Sequence, residues 1–247
     1  MFKSFTTSQT KPTSYREEIV ARKRLYRPPV TDGLTLWLDP RNYRGSGDWY
    51  DRSRVGGAAA LYNGVVHNGD YFTFDAVDDF MRVTRSDFTE AGYGYQEITV
   101  NMFFRQPEGA SNSGNLITVE NSFEIAARQQ GGARGYIEYA SNPWAWRSAA
   151  SLFFLDDTWY MMTYVHTLNN RQIYINGELT FDNTVFADTG YLNSPARQHQ
   201  YLTIAGRYEG TSDSFGGDIG SVYIHDRALS QREIQYMFDL DRGRYGI

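Results

Sequence analysis

Apolar residues in this chain come in short runs that alternate with polar ones, and the period is two. Leu34, Leu36 and Leu38 face one way while Thr35 and Trp37 face the other, the signature of a half-buried strand. The same pattern predicts strands over 71–74, 80–83, 98–104, 116–119, 123–126, 136–139, 159–166 and 202–205. Gln172 to Ile175 and Glu178 to Phe181 flank Asn176-Gly177, the pair that favours a type I′ hairpin turn. Residues 128–134 read as a Gly/Gln hairpin tip, and 41–60, 106–114, 140–151 and 184–200 as polar excursions.

Near the C-terminal end, Ser221, Tyr223 and His225 alternate with Val222 and Ile224. This is a closing strand, and the Leu34–Leu38 strand is its expected partner. It runs into Ser230 and Glu233, an S-x-x-E capping box in which each side chain reaches the other residue's backbone N–H. Leu229 and Ile234 stand where a hydrophobic staple sits. The pattern predicts a helix of one or two turns. Short strands at regular spacing with Gly-rich turns imply an all-β, two-sheet antiparallel sandwich. A closed barrel is the alternative that spacing alone leaves open.

Composition fits this picture. The chain has 247 residues, 16% of them aromatic, with 23 Gly and no Cys. The absence of Cys removes disulfides and thiolate metal sites. It suits a cytosolic bacterial product or a virion component better than a small secreted domain. No apolar stretch has the length of a membrane span, and Met1-Phe2-Lys3-Ser4-Phe5 lacks the apolar core of a signal peptide.

The charge is unevenly spread. Residues 1–29 hold seven Lys/Arg and two Glu, net +5; the remainder holds 17 basic and 27 acidic residues, net −10. A basic arm on an acidic body is an interaction-tail pattern, and the acidic body argues against nucleic acid as the main partner. Residues 1–31 form this arm and 32–247 the folded body. Ser14-Tyr15-Arg16-Glu17 predicts a short helix over roughly 15–25, and Pro28-Pro29 ends it. Phe2, Phe5, Tyr15, Ile19 and Leu25 are apolar anchors set among Arg22, Lys23, Arg24 and Arg27. Such a segment orders on a partner's surface.

Several of these pieces resemble a known family. They are Gly33-Leu34-Thr35-Leu36-Trp37-Leu38-Asp39, Phe74-Asp75-Ala76-Val77-Asp78-Asp79-Phe80-Met81-Arg82-Val83, Ile98 through Arg105, Trp159 through Gly177 and Phe215 through Ile234. In this order they resemble the laminin-G-like jelly roll of the concanavalin A-like lectin/glucanase superfamily, over roughly residues 33–236. The family usually has Gly where Ala76 stands. The ending Asp241-Arg242-Gly243-Arg244-Tyr245-Gly246-Ile247 is similar to such domains in tailed-phage virion proteins. The resemblance implies a concanavalin A-like jelly roll with an extended N-terminal arm and a short C-terminal helix. It implies a virion protein made in the host cytoplasm, present in multiple copies, whose arm grips coat or other virion subunits as a capsid decoration or cement protein. A tail or baseplate adhesin that binds host-surface glycan is the alternative.

Candidate chemistry narrows this further. Glucanases of the family carry E-x-D-x-E or E-x-D-x-x-E on one strand, as paired-carboxylate hydrolysis requires. No such run occurs: Glu120 and Glu124 have no Asp between them, and Glu138 stands without a strand partner. His67, His166, His199 and His225 show no ligand spacing, and His166 and His225 read as strand-end residues. The reading is therefore non-enzymatic. Family members often bind Ca²⁺ through Asp, Asn and carbonyl oxygens, and Asp75, Asp78, Asp79, Asp48 and Asp51 are the loop carboxylates. They read as formers of turn hydrogen bonds, so no metal ligand and no cofactor is assigned. Tyr139, Asn142, Trp144, Trp146 and Arg147 bring rings and polar groups to one loop. That set either stacks a sugar or covers the sandwich edge against a neighbouring subunit.

Overall fold

A computed structural model describes residues 29–84, 97–108, 114–119, 123–128, 132–136, 148–152, 154–167, 170–183, 201–207 and 210–247. Among these residues lie sixteen strands and one α-helix. In chain order the strands are β1 (Leu34–Leu38), β2 (Trp49–Tyr50), β3 (Ala58–Tyr62), β4 (Val66–His67), β5 (Phe72–Asp75), β6 (Phe80–Thr84), β7 (Ile98–Arg105) and β8 (Gly114–Val119). They continue with β9 (Phe123–Arg128), β10 (Gly132–Tyr136), β11 (Ser148–Leu152), β12 (Trp159–His166), β13 (Arg171–Ile175), β14 (Glu178–Asn183), β15 (Tyr201–Ile204) and β16 (Gly216–His225). The helix α1 spans Gln231–Tyr245.

Two sheets of eight strands form the sandwich, which decides against the barrel. Sheet A runs β14-β13-β12-β7-β16-β5-β4, with β1 also on β16; sheet B runs β11-β10-β9-β8-β15-β6-β3-β2. The strand β16 organises sheet A. Its start pairs with β5, its end pairs with β1 in the expected antiparallel register, and its other edge pairs with β7. Leu36, Leu38, Phe72, Phe104, Ile117, Ile125, Ile204 and Val222 fill the core between the sheets, each at most 1% exposed.

The outer face of sheet A is covered as well. Ile234, Met237, Phe238 and Tyr245 of α1 pack on Phe103, Trp159, Met161 and Tyr223. The helix starts as the sequence implies. Glu233 N donates to Ser230 Oγ at 3.4 Å, Ser230 N donates to Glu233 Oε2 at 2.8 Å, and both staple residues are buried. It runs for 15 residues rather than one or two turns. Its apolar stripe is interrupted by Asp239, Asp241, Arg242, Gly243 and Arg244, which hides the helical period from a local reading. Asp241 is 3% exposed all the same, because it accepts from Tyr223 Oη at 2.7 Å under the helix.

Three further differences have a common cause. The strands β2 and β3 lie in a predicted polar excursion, β11 lies in another, and β10 begins four residues before its predicted start. The strands β3, β10 and β11 carry mostly Ala, Ser and Gly rather than β-branched residues, and β2 is only two residues long, so their pairing is imposed by neighbouring strands. The Asn176-Gly177 turn matches expectation, with φ of 52° and 84°. No helix among the described residues is long and apolar enough to cross a membrane.

Candidate functional site

A polar row marks the face of sheet B that is turned away from the core. Cross-strand register lines up one residue from each of five strands there: Ala60, Arg82, Thr203, Thr118 and Glu124. Directly opposed residues in an antiparallel sheet project to the same face, and the alternate positions Ala59, Val83, Leu202, Val119 and Ile125 go to the core. The row is thus polar because its partners in the period of two are apolar.

Aromatic rings flank the row. Tyr62 stacks on Phe80 with centroids 4.5 Å apart and planes 2° off parallel. The Arg82 guanidinium lies 5.0 Å from the Tyr62 ring and 5.4 Å from the Tyr201 ring, and its Nη2 donates to Tyr62 Oη at 2.5 Å. Cation–π contact and this hydrogen bond fix the planar fork in one orientation. At the other end of the row Arg207 Nε meets Glu124 Oε1 at 2.8 Å, and Asn115 Nδ2 donates to Glu124 Oε2 at 2.9 Å. Thr118 and Thr203 stand between, 1% and 3% exposed although they face away from the core. Ring faces, a held guanidinium, hydroxyls and an amide are the groups that recognise a polyhydroxylated ligand.

Glycoside hydrolysis needs two carboxyl groups about 5–9.5 Å apart, flanking the scissile bond. Glu124 is the one carboxylate of this row, and it is engaged by Arg207 and Asn115.

The arm residues Phe2, Phe5, Tyr15, Ile19, Arg22, Lys23, Arg24, Leu25 and Arg27 lie outside the described residues, as do Tyr139, Asn142, Trp144, Trp146 and Arg147. The body end of the arm is placed: Val30 O pairs with His225 Nε2 at 2.9 Å, and Val30 N donates to Met237 Sδ at 3.3 Å. The arm therefore leaves at the His225 end of β16, opposite the Gly216 end. His225 and His166 are strand-end residues, as expected, and both are buried. Burial pushes the His166 imidazole down to about 3 and that of His225 to about 4, each aided by a nearby arginine. Both stay neutral at physiological pH.

Of the loop carboxylates, Asp51, Asp75 and Asp79 make the expected turn bonds. Asp51 accepts from Trp37 N at 2.8 Å and Ser53 N at 2.7 Å. Asp75 Oδ1 accepts from Val77 N at 2.8 Å, and Asp79 Oδ2 accepts from Asp75 N at 3.1 Å. Asp75, Asp78 and Asp79 nevertheless present oxygens within 4.8 Å of one another, a spacing that could hold a metal ion. Ala76, where the family usually has Gly, sits in this turn at φ 67°.

A family model described as the concanavalin A-like lectin/glucanases superfamily, of laminin G type, matches residues 75–235. The chain belongs to that superfamily. Solved structures similar to this lectin/glucanase-superfamily domain are toxin binding domains. The ligand binding domain of botulinum neurotoxin serotype D in complex with N-acetylneuraminic acid aligns with TM-score 0.66 at 15% identity, over 85% of this chain and 51% of that one. The receptor binding domain of botulinum neurotoxin D gives 0.66 at 16%, over 85% and 53%. The binding domain of botulinum neurotoxin DC in complex with rat synaptotagmin II gives 0.65 at 18%, over 85% and 52%. The superfamily domain thus spans about half the length of these structures, and at such identity the likeness is one of fold. No curated protein matches the sequence.

The superfamily's sequence motifs map to fold, not to ligand. Tyr201, Thr203 and Arg207 were not singled out from the sequence; Glu124 was weighed there only against the glucanase carboxylate motif, and Arg82 only as part of a family motif. The available signal was the single polar residue inside otherwise apolar strands, as in Met81-Arg82-Val83 and Leu202-Thr203-Ile204.

Proposed function

We propose that the chain is a non-enzymatic, lectin-like binding protein of a phage particle, with its sandwich holding a saccharide on the outer face of sheet B. The observation that carries the reading is the row from Arg82 to Glu124, a continuous polar strip edged by Tyr62, Phe80 and Tyr201 on the face of sheet B turned away from the core. The superfamily's description names lectins beside glucanases. One neighbour was solved with N-acetylneuraminic acid and another with rat synaptotagmin II, each in a chain of which the aligned region is about half. The Trp144/Trp146 loop is a separate candidate surface for a sugar.

The charge of the arm supports the place in the particle that we propose. Net +5 over residues 1–29 on a body of net −10 supports anchoring on coat subunits, as a capsid decoration or cement protein that presents the sandwich outward. A tail or baseplate adhesin would use the same sandwich. Glycan-array binding tests the first claim: wild type binds a defined set of sugars and Arg82→Ala loses them. Equal binding by Arg82→Ala and by Trp144→Ala would rule out both surfaces. Deleting residues 1–30 tests the second: particle attachment is lost while the sandwich keeps its melting temperature. A truncated protein that still decorates particles would sink the anchoring role.

A further inference from the structure

We propose that the basic arm of one copy docks on the acidic end of a neighbouring copy's sandwich, the end that carries Asp75 and Asp78. This rests on the reading of residues 1–31 as an anchoring arm and gives that arm a second partner, the chain itself. The two ends of the molecule differ. Val30 fixes the arm at the His225 end of β16. At the other end Asp75 is in register with Gly216, and Asp78 and Asp79 follow in the turn between β5 and β6. Arg105 of β7 is in register with Asp218 at the same end, and Glu108 lies just beyond it. Asp157 N donates to Gln106 O at 2.7 Å, which brings Asp156 and Asp157 alongside. Asp75, Asp78, Glu108, Asp156 and Asp157 are all exposed. The strands β5 and β12 that carry the outermost of them are three spacings apart in sheet A, so the acidic groups spread over about 15 Å.

This end is short of cations and of donors. Residues 32–247 contain no lysine. Arg105 is held by Asp218 and Arg207 by Glu124, so neither offsets the loop carboxylates. Burial, and then the charges of Asp75 and Asp78, raise the Asp79 carboxyl above its ordinary range. Asp79 Oδ1 is buried without a hydrogen-bond partner, in a residue only 4% exposed. Residue 64 is glycine, and a Cβ there would stand 3.0 Å from that oxygen, so glycine leaves space beside it. A buried carboxylate oxygen with no donor carries its full desolvation cost, and N–H groups from outside the fold relieve it. Val77 and Leu155, 72% and 69% exposed, lie in the same loops and are the most exposed large apolar side chains among the described residues. The arm offers the complement: Arg22, Lys23, Arg24 and Arg27 around Leu25.

Reach selects a neighbour over the arm's own body. An extended chain advances at most about 3.6 Å per residue, so Lys23, seven residues before Val30, lies within about 25 Å of it. Arg24 and Arg27 lie nearer still. The ten residues of β16 carry the acidic end about 33 Å away. The densest basic stretch of the arm therefore falls short of its own acidic end and meets one on another copy. Copies set end to end, each arm root facing the next acidic end, match the two charges. Such a contact is head-to-tail and repeats along a row of copies.

The test uses the purified full chain without particles, in EDTA so that no metal ion occupies the turn. Sedimentation velocity at about 50 mM NaCl shows dimers and longer species that dissociate at about 500 mM, as screening requires. The double variant Asp75→Asn/Asp78→Asn keeps an oxygen for the turn amides and melts within about 2 °C of wild type. It associates at least about ten-fold more weakly. Carbodiimide cross-linking places the arm. Lys3, Lys11 and Lys23 are the chain's only lysines, so a lysine–carboxylate link names an arm residue. Mass spectrometry of the dimer band finds its partner among Asp75, Asp78, Glu108, Asp156 and Asp157. A wild type that stays monomeric at low salt overturns the proposal, as does undiminished association of the double variant. Links confined to the monomer band also overturn it, because they seat the arm on its own body. Particle attachment is read separately. A monomeric wild type that still decorates particles removes the neighbour contact and leaves the anchoring role, whereas a self-associating chain that never decorates particles removes the anchoring role alone.

Discussion

Arg244 Nη2 lies 3.1 Å from Asp39 Oδ1, joining the last turn of α1 to the end of β1 across 205 residues of sequence. Asp39 is nearly fully enclosed, and Arg41 bonds it through Nη2 at 3.0 Å. Arg244 also donates to Ser221 Oγ at 2.9 Å and pairs with Asp241 Oδ1 at 3.1 Å. Burial alone would raise the Asp39 carboxyl. The Arg41 hydrogen bond and the charges of Arg244 and Arg41 outweigh it and hold it below the usual range. Removing one partner of a buried pair strands the other charge, at a cost of about 3–5 kcal/mol. Arg244→Ala should lower the unfolding free energy by that amount in urea titrations, while Arg244→Lys recovers part. An Arg244→Ala variant within 1 kcal/mol of wild type would mean that α1 is held by its apolar face alone.

The two buried histidines set an acid limit. Their ordinary value is near 6.5, and the native values are about 3 for His166 and about 4 for His225. Between those limits the unfolded chain takes up protons that the native state refuses, so stability is full above 6.5 and falls as pH drops towards the folded values. The loss by pH 5 is on the order of 2 kcal/mol per histidine. Urea unfolding at pH 7 and pH 5 measures it, and His225→Gln should remove about half of the difference. A flat profile over this range contradicts neutral burial of the rings.

Ala76 tests the departure from the family pattern. A left-handed backbone costs an L-residue about 1–2 kcal/mol, which glycine avoids at a smaller entropic cost. Ala76→Gly should therefore stabilise by about 1 kcal/mol. Gly216→Ala should do the reverse, because its Cβ would fall 2.6 Å from that of Ala76. Chemical denaturation of the pair decides it, and a destabilised Ala76→Gly would show that the Ala76 methyl makes a contact worth more than the strain.

The parts of this molecule that are local in sequence were legible there. The capping box at Ser230 and Glu233, the Asn176-Gly177 turn and the β1–β16 pairing all rest on motifs a few residues long. The length of α1 was not legible, because Asp241 and Arg244 are polar residues that it buries by pairing them with Tyr223 and Asp39. The row on sheet B was not legible for a different reason. Arg82, Thr203, Thr118 and Glu124 do not point to one another in their own strands, and only the register of β6, β15, β8 and β9 brings them abreast. The acidic turn was legible as a turn, while the orphan oxygen of Asp79 depends on Gly64 across the loop.

Glu233 links the cap of α1 to the start of the body, and it titrates. Its carboxylate accepts from Arg227 Nη2 at 2.6 Å and from Ser230 N at 2.8 Å, and Arg227 also meets Asp32 at 3.0 Å. The Arg227 hydrogen bond is the main cause that brings Glu233 down to about 2, with the Ser230 bonds adding to it against burial. The folded value lies below the ordinary 4.5, so the stabilisation is present above pH 4.5 and is lost as pH falls towards 2. Glu233→Gln keeps the shape of the side chain and an oxygen for Ser230 N, but loses the charge. It should melt several degrees below wild type at pH 7, and the gap should close on acidification through that window. Ser230→Ala controls for the cap itself: it costs about 1 kcal/mol, largely independent of pH above 4.5. Parallel melting curves of the three proteins from pH 7 to 3 separate the two contributions. A gap between wild type and Glu233→Gln that stays constant down to pH 3 would show that the residue acts through shape and hydrogen bonding, and that the Arg227 charge contributes nothing.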